Sequence, residues 1–368
     1  MNRPENITRL LTRKDALDET RIDQVADDLR AGEGEVVLRI DLCALTTNNI
    51  TYAAFGDSMQ YWNFFPTGVQ GWGHMPVWGF ADVVDSNVQG IERGERFYGY
   101  YPIASHLRMQ PERVSPRGFY DGAGHRRSLT SAYNQYTRCS WDPYYQAENE
   151  ALQILLKPLF LTSAMLADFL DDNALFGATQ LIISSASSKT AYGTASCLAR
   201  QRPDIRRVAL TSPRNRTFVE GLGCYDESRD YAQLEALDNA QPTLYVDFSG
   251  DLALRERVHR HFGAALVHSC FAGSAQTPEA NALDCPVGPT PSFFFAPVQI
   301  RKRNAEWGPE RVSAYIGDGL LDFYRQVTAG SSPALRVVEG AGMATAQRLI
   351  ADLFHGRVAA DQGHVVRL

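Results

Sequence analysis

The sequence predicts an α/β protein in two parts: a β-rich, partly barrel-like unit and a doubly wound parallel sheet. Three observations carry this. The chain has 368 residues, more than one core comfortably fills. Up to about residue 100 it breaks into short apolar strands punctuated by glycine. From about residue 151 helical and strand periodicities alternate, the βαβ rhythm of a parallel sheet.

Taken in order, residues 1–30 are polar and helix-prone, and Gly32-Glu33-Gly34 makes a turn. Residues 35–42 and 81–84 read as strands. The turn at 90–96 leads into Phe97-Tyr98-Gly99-Tyr100. Residues 118–150 set Tyr120, Tyr133, Tyr136, Tyr144 and Tyr145 among polar residues with little periodicity. They read either as a lid or as a surface loop packed by its own aromatics. Residues 159–170 form a helix with Leu159, Ala164, Leu166, Phe169 and Leu170 toward a core. Residues 179–185 are a continuous apolar strand, as expected when both faces are covered. Helices at 191–200, 216–222 and 252–262 then alternate with strands at 207–211, 243–247 and 265–269. Residues 363–368 read as a strand in need of a partner, with the amino-terminal unit one candidate.

Composition narrows the function. Hydrophobic residues make up 44% and charged residues 21%, the balance of an ordinary globular protein. A net charge of -6 without long like-charge runs argues against nucleic acid as partner. No apolar run approaches the roughly 18 residues of a spanning helix. The opening MNRPENITRLLTRKD lacks a signal-peptide core, so the expectation is a cytoplasmic protein without membrane contact. Cys43, Cys139, Cys197, Cys224, Cys270 and Cys285 form no CxxC pair, which points to reduced thiols and no structural zinc lobe.

The chemistry is expected where the strand at 179–185 gives way to Ser185-Ala186-Ser187-Ser188-Lys189-Thr190 and a helix. Small residues let the backbone approach a pyrophosphate, and the helix start presents unpaired amides and the positive end of its dipole. Ser185, Ser187, Ser188 and Thr190 add hydroxyls, and Lys189 adds a cation. GxGxxG is absent and only Gly193 remains, so a capped serine-rich turn is the competing reading. A P-loop fails because Ser188 stands where glycine is required. The next strand ends in Thr211-Ser212-Pro213-Arg214-Asn215-Arg216, without the acidic residue that would bind a ribose 2′-hydroxyl. Ser212, Arg214 and Asn215 suit a 2′-phosphate instead, which selects NADPH over NADH. Arg216 is expected on the following helix, facing solvent.

With these residues in view, the chain resembles the medium-chain dehydrogenase/reductase superfamily, above all its zinc-independent quinone and enoyl reductase branch. The resemblance lies in residues 35–52 with Gly56, in Trp78-Gly79-Phe80-Ala81-Asp82-Val83-Val84, and in Gly94-Glu95-Arg96-Phe97-Tyr98-Gly99. It continues in Val246-Asp247-Phe248-Ser249-Gly250 and in the closing Val365-Val366-Arg367-Leu368. It implies a GroES-like catalytic domain from residues 1–155 and 332–368, with a Rossmann domain at 156–331 between. It also implies Ser249 as a cofactor contact, a small-molecule substrate and a homodimer. The chain departs from zinc-dependent members. Thr46 stands where they have cysteine, Trp78 falls near the second-site glutamate, and His74 is isolated. No metal is therefore expected.

Without zinc, hydrogen-bond donors must stabilise the oxygen that gains charge on hydride addition. Tyr52 follows the asparagine segment that faces the nicotinamide in the family, so it is the first candidate proton donor. Asn48 and Asn49 are candidates for orienting substrate or cofactor. Tyr133 and Tyr136 join them if the 118–150 stretch folds over the site. For each tyrosine, packing with a satisfied hydroxyl is the alternative. The expected activity is NADPH-dependent reduction of an enone, enoyl thioester or quinone. The alternative is a dinucleotide-binding sensor or partner protein without catalysis. No G-x-S-x-G elbow supports a hydrolase, and no Tyr-x-x-x-Lys in the right place supports a short-chain dehydrogenase.

Overall fold

The computed structural model describes residues 5–272, 287–331 and 333–368, so Cys285 lies outside the described residues. The chain divides into two units, Met1–Leu155 with Val337–Leu368 and Leu156–Arg336.

The first unit opens with a hairpin, β1 (Glu5–Arg13) and β2 (Ala16–Asp27), where polar composition points to helix. Leu10 and Leu11 are fully buried, and Arg9 stands opposite Asp23 with its guanidinium 2.7 Å from the carboxylate. Buried leucines and cross-strand ion pairs outweigh a weak helix propensity. β3 (Val36–Leu45) follows and runs into α1 (Thr47–Ala54). Next come β4 (Trp72–Gly73), β5 (Pro76–Ser86), β6 (Arg96–Pro102), β7 (His106–Met109), β8 (Pro111–Ser115), β9 (Gly118–Asp121) and β10 (Gln135–Arg138).

The tyrosine-rich stretch is thus built into a sheet rather than being only a loop. β9 and β10 pair with Tyr136 opposite Phe119, and the two rings stack at 5.2 Å. The helix expected at 159–170 extends over α2 (Glu150–Asp172), with Leu159 and Phe169 only half-buried. Its length and composition would suffice to cross a membrane, but 61% of that stretch is buried inside the protein, as in a core helix.

The second unit contains β11 (Gln180–Ile183), α3 (Lys189–Gln201), β12 (Arg206–Thr211), α4 (Arg216–Gly221) and β13 (Glu227–Asp230). It continues through β14 (Thr243–Asp247), α5 (Leu252–Phe262), β15 (Leu266–Phe271), β16 (Ser292–Phe293), α6 (Ala296–Trp307) and α7 (Pro309–Thr328). The strands lie parallel in the order β13-β12-β11-β14-β15-β16. The chain starts in the middle at β11, moves one way to β13, then returns to β14 on the other side. That reversal opens a crevice beyond the carboxyl ends of β11 and β14. Ile182, Val208, Leu210, Tyr245 and Val258 form a core at the sheet.

The chain then re-enters the first unit as β17 (Arg336–Ala341), α8 (Met343–Phe354) and β18 (Gln362–Arg367). β18 pairs antiparallel with β3, from His364 opposite Leu45 to Arg367 opposite Leu42, which supplies the partner the sequence left open. The sheet order is β17-β18-β3-β5-β6-β10-β9-β8. Ala346, Ile350 and Leu353 of α8 join Val36, Leu38, Val77 and Phe97 in its core.

Candidate functional site

In the second unit, β11 ends at Ile183, and Ser184 turns its hydroxyl to Asp247 Oδ1 at 2.7 Å. Asp247, the last residue of β14, is fully buried and anchors the neighbouring turn as well. The same Oδ1 accepts from Ser249 N (2.8 Å), Ser249 Oγ (2.7 Å) and Gly250 N (3.2 Å). Arg255 of α5, also fully buried, donates to Oδ2 from Nε (2.9 Å) and Nη2 (2.7 Å). Burial alone would push the Asp247 carboxyl up. The Arg255 charge and the hydrogen bonds from Ser249 and Ser184 outweigh it and hold the group below the ordinary carboxylate value. Ser249 donates to Asp247 and accepts from Asp251 N (3.2 Å). The structure therefore uses the hydroxyl of exposed Ser249 to build the turn.

The turn beyond β11 lacks glycine and is held by other means. Ser185 takes a left-handed backbone, φ +50°, where glycine is usual. Its amide donates to Tyr231 Oη (3.1 Å), and Tyr225 Oη donates to the Ala186 carbonyl (3.0 Å). Nothing in the sequence marks these two phenols, since both arrive through the fold. Ser188 caps α3 by accepting from Ala191 N (3.3 Å). Asn215 Nδ2 donates to Ser187 Oγ (3.0 Å), which joins the turn after β12 to the turn after β11. Both serine oxygens act as acceptors, so each hydroxyl keeps its own proton for donation to an anion. Ser185, Ser187, Ser188, Lys189 and Thr190 are half-buried and reach the surface. Gly193 permits close helix packing, because a Cβ there would lie 2.6 Å from Ser163 Oγ of α2. That hydroxyl in turn donates to the Thr190 carbonyl (2.8 Å).

Ser212 is half-buried and Arg214 exposed at the end of β12. Arg216 opens α4, as expected, but is half-buried rather than free in solvent. It donates to Glu220 (2.9 Å) and stands 3.9 Å from Asp230, the β13 residue in register with Thr211. The donor set of this corner fits a phosphate-bearing ligand, with hydroxyl protons and first-turn amides in place of the usual glycines.

The first unit gathers a different cluster. α1 starts at a capping box, in which Thr46 Oγ1 accepts from Asn48 N (3.3 Å) and Asn49 Oδ1 accepts from Thr46 N (2.7 Å). Asn49 Nδ2 also donates to the Pro76 carbonyl (2.9 Å). Its amide thus caps α1 and ties it to β5. Asn48 is half-buried and stands four residues before Tyr52 on α1, on the same helix face. Tyr52 is 6% exposed, and its oxygen accepts from Trp78 Nε1 (3.2 Å). Burial pushes this phenol up to about 12, so it stays protonated at neutral pH.

Tyr61, Tyr100 and Tyr133 surround Tyr52, with ring centroids 4.8, 5.5 and 6.1 Å away. The Tyr61 and Tyr133 hydroxyls meet at 3.2 Å. Trp78 stacks on Tyr98 at 5.4 Å and 14°. Tyr133 therefore does reach the Tyr52 cluster. Tyr136 does not serve it: its buried hydroxyl donates to the Tyr100 carbonyl (2.6 Å) and accepts from Arg126 (3.1 Å). Among the described residues, no group of three or more His, Cys, Asp or Glu is placed to hold a metal ion.

A family model described as "Protein of unknown function (DUF2855)" matches residues 43–359. No curated protein matches. Several solved structures do. CurA from Vibrio vulnificus in complex with NADPH is 13% identical over 98% of both chains, with a TM-score of 0.61. The quinone oxidoreductase from Coxiella burnetii is 11% identical over 99% of this chain and 100% of that one, TM-score 0.56. The yhdH oxidoreductase from Salmonella enterica in complex with NADP is 12% identical over 99% and 100%, TM-score 0.52. These likenesses show the fold, a GroES-like unit and a Rossmann unit as in the medium-chain dehydrogenase/reductases.

Proposed function

We propose, from the premise that this chain belongs to the DUF2855 family, that it is a zinc-independent, NADPH-dependent reductase of a small conjugated acceptor. The acceptor class is an enone, an enoyl thioester or a quinone. The observation that carries this reading is the pair of serine hydroxyls, Ser187 and Ser188, whose oxygens are already engaged and whose protons point the site toward an anion. The NADPH or NADP bound in two of the similar structures supports it.

In this reading the diphosphate rests on Ser187, Ser188, Thr190 and the first amides of α3, with Lys189 adding charge. Ser212 and Arg214 receive the 2′-phosphate through neutral and charge-assisted hydrogen bonds. When bound, the cofactor supplies the hydride. Tyr52 gives its proton, or a hydrogen bond from it, to the acceptor oxygen as charge grows there. Trp78 fixes the phenol by donating to its oxygen, and Asn48, on the same face of α1, is placed to orient the acceptor beside it. The surrounding rings keep water away and favour a flat, conjugated substrate.

Titration of the purified protein with NADPH and NADH tests the cofactor. NADPH is expected to bind more tightly. Arg214→Ala should weaken it by roughly ten-fold or more, from the ~1.5–3 kcal/mol of a hydrogen bond to a charged group, while NADH changes little. Tighter NADH binding overturns the assignment. NADPH oxidation over a panel of enones, enoyl thioesters and quinones tests the chemistry. A second reading, binding without turnover, draws on Tyr231 taking the Ser185 amide in a glycine-poor turn. NADPH binding with no oxidation across the panel selects it.

A further inference from the structure

The stretch between β9 and β10 holds Tyr133 over the Tyr52 cluster, and one buried side chain ties that stretch down. Arg126 is 1% exposed, and its guanidinium makes four hydrogen bonds. Nε donates to Asn134 Oδ1 (2.9 Å), Nη1 to Asp121 Oδ2 (2.7 Å) and Tyr136 Oη (3.1 Å), and Nη2 to the Tyr133 carbonyl (3.0 Å). Asn134 Nδ2 returns a bond to the Arg126 carbonyl (2.9 Å). The guanidinium carbon lies over Phe64 and Phe65, 5.2 and 4.8 Å from the ring centroids. Tyr136 carries the link on to β6 by donating to the Tyr100 carbonyl (2.6 Å).

Tyr133 is what this framework holds in place. Its ring centroid lies 4.7 Å from that of Tyr100, 5.5 Å from Phe64, 5.6 Å from Tyr61, 5.9 Å from Trp78 and 6.1 Å from Tyr52. Tyr52, Tyr61, Phe64 and Tyr100 are buried while Tyr133 is half-buried, so Tyr133 stands between them and solvent. A buried ion pair adds little stability over apolar residues of the same volume. What an arginine adds is a rigid, flat fork that fixes several acceptors at once. Here three of those acceptors belong to Tyr133, Asn134 and Tyr136, so the fork sets where the Tyr133 backbone lies.

We infer that Arg126 is a positioning residue for Tyr52: through Tyr133 it holds the aromatic cover over the Tyr52–Trp78 hydrogen bond and keeps water from the phenol. The inference deepens the reductase reading and rests on it for the consequence in turnover.

The test uses the full chain labelled with 15N-tryptophan. The indole N–H of Trp78, which donates to Tyr52 (3.2 Å), is assigned with Trp78→Phe, and its exchange with water is measured by NMR. Arg126→Lys keeps a cation opposite Asp121 but cannot span the other acceptors of the fork. In it the exchange is expected to quicken by about ten-fold or more, as when the protection of one hydrogen bond is lost. Tyr133→Leu should do the same, and the double variant should exceed either by less than about two-fold, because one residue acts through the other. Unchanged exchange in Arg126→Lys, or full additivity of the two effects, overturns the inference. Should Arg126→Lys fail to fold, Asn134→Ala, which removes the Nε acceptor and the return bond, decides in its place, and unmoved exchange there overturns the inference. In turnover, kcat of folded Arg126→Lys should fall by roughly ten- to a hundred-fold, as a misplaced donor costs, with NADPH affinity unchanged; an unchanged kcat overturns the inference. A wild type without turnover on any acceptor overturns the reductase reading alone, and Trp78 exchange still decides the role of Arg126.

Discussion

Arg255→Met is the sharpest probe of how the dinucleotide corner is built. The substitution keeps the unbranched apolar stem of the side chain and removes the cation from a carboxylate that is fully buried. Asp247 keeps its hydrogen bonds from Ser184, Ser249 and Gly250, yet its charge is left without a counter-ion. Removing one partner of a buried pair costs about 3–5 kcal/mol, a large share of the ~5–15 kcal/mol that holds a typical domain together. The pH dependence gives a second, signed readout. In the wild type the Asp247 carboxyl is held below its ordinary value. Its contribution is therefore complete above the unfolded value near ~3.9 and is lost as pH falls through the lower folded value. In Arg255→Met only burial and the remaining hydrogen bonds act, and the folded value rises. The variant is then penalised most at neutral pH, and the gap between the two proteins narrows as pH falls toward 4. Urea unfolding at several pH values measures this, with hydrogen exchange over 180–190 and 243–256 reporting the two turns. A difference below about 1 kcal/mol at pH 7, the typical net worth of one neutral hydrogen bond, or one that does not narrow with acid, refutes the account.

Three further outcomes are expected. Gly193→Ala puts a Cβ 2.6 Å from Ser163 Oγ and should cost about 1–3 kcal/mol, as overpacking does; Ser163→Ala in the same chain should restore part of it, and strict additivity of the two losses in thermal unfolding would count against the clash. Tyr52→Phe should lower substrate-dependent NADPH oxidation by ~10²–10⁴-fold, the usual reach of general acid catalysis, with NADPH affinity unchanged by titration. Asn49→Ala should lose about 0.5–2 kcal/mol in denaturation, the cost of an N-cap, and leave the turnover of the folded fraction nearly intact; a loss matching Tyr52→Phe would instead place Asn49 at the substrate.

The Rossmann unit was legible where apolar runs are long enough to declare themselves. Thr243–Asp247 and Leu252–Phe262 fall where their periodicities put them. The hairpin at the other end was not, because Glu, Arg and Leu favour helices in isolation, and only cross-strand pairing with buried Leu10 and Leu11 reverses that. The short strand Glu-Ser-Arg-Asp, β13, carries no apolar signal at all, as suits an edge. Within the site, the serine turn and Asn215 were readable from residue type. The capping role of Asn49 had a signal in Thr46-x-x-Asn49, a variant of the usual capping box. Tyr61, Tyr100, Tyr225 and Tyr231 had none, since each matters only through residues far along the chain. Arg255 looked like one more helical arginine until the fold buried it against Asp247.

The pairing of β18 with β3 also orders events on the ribosome. Arg367 donates to Asp41 across 326 positions of sequence. While the intervening Rossmann unit is being made, β7 already covers Val36–Arg39 of β3, but the Leu42–Leu45 end has no partner on that side, its neighbour not yet translated. Such an open edge invites wrong partners, so the cell must tolerate a half-finished sheet for the whole time it takes to synthesise the insert. Slowing translation through the insert should raise aggregation of this protein without altering the finished molecule.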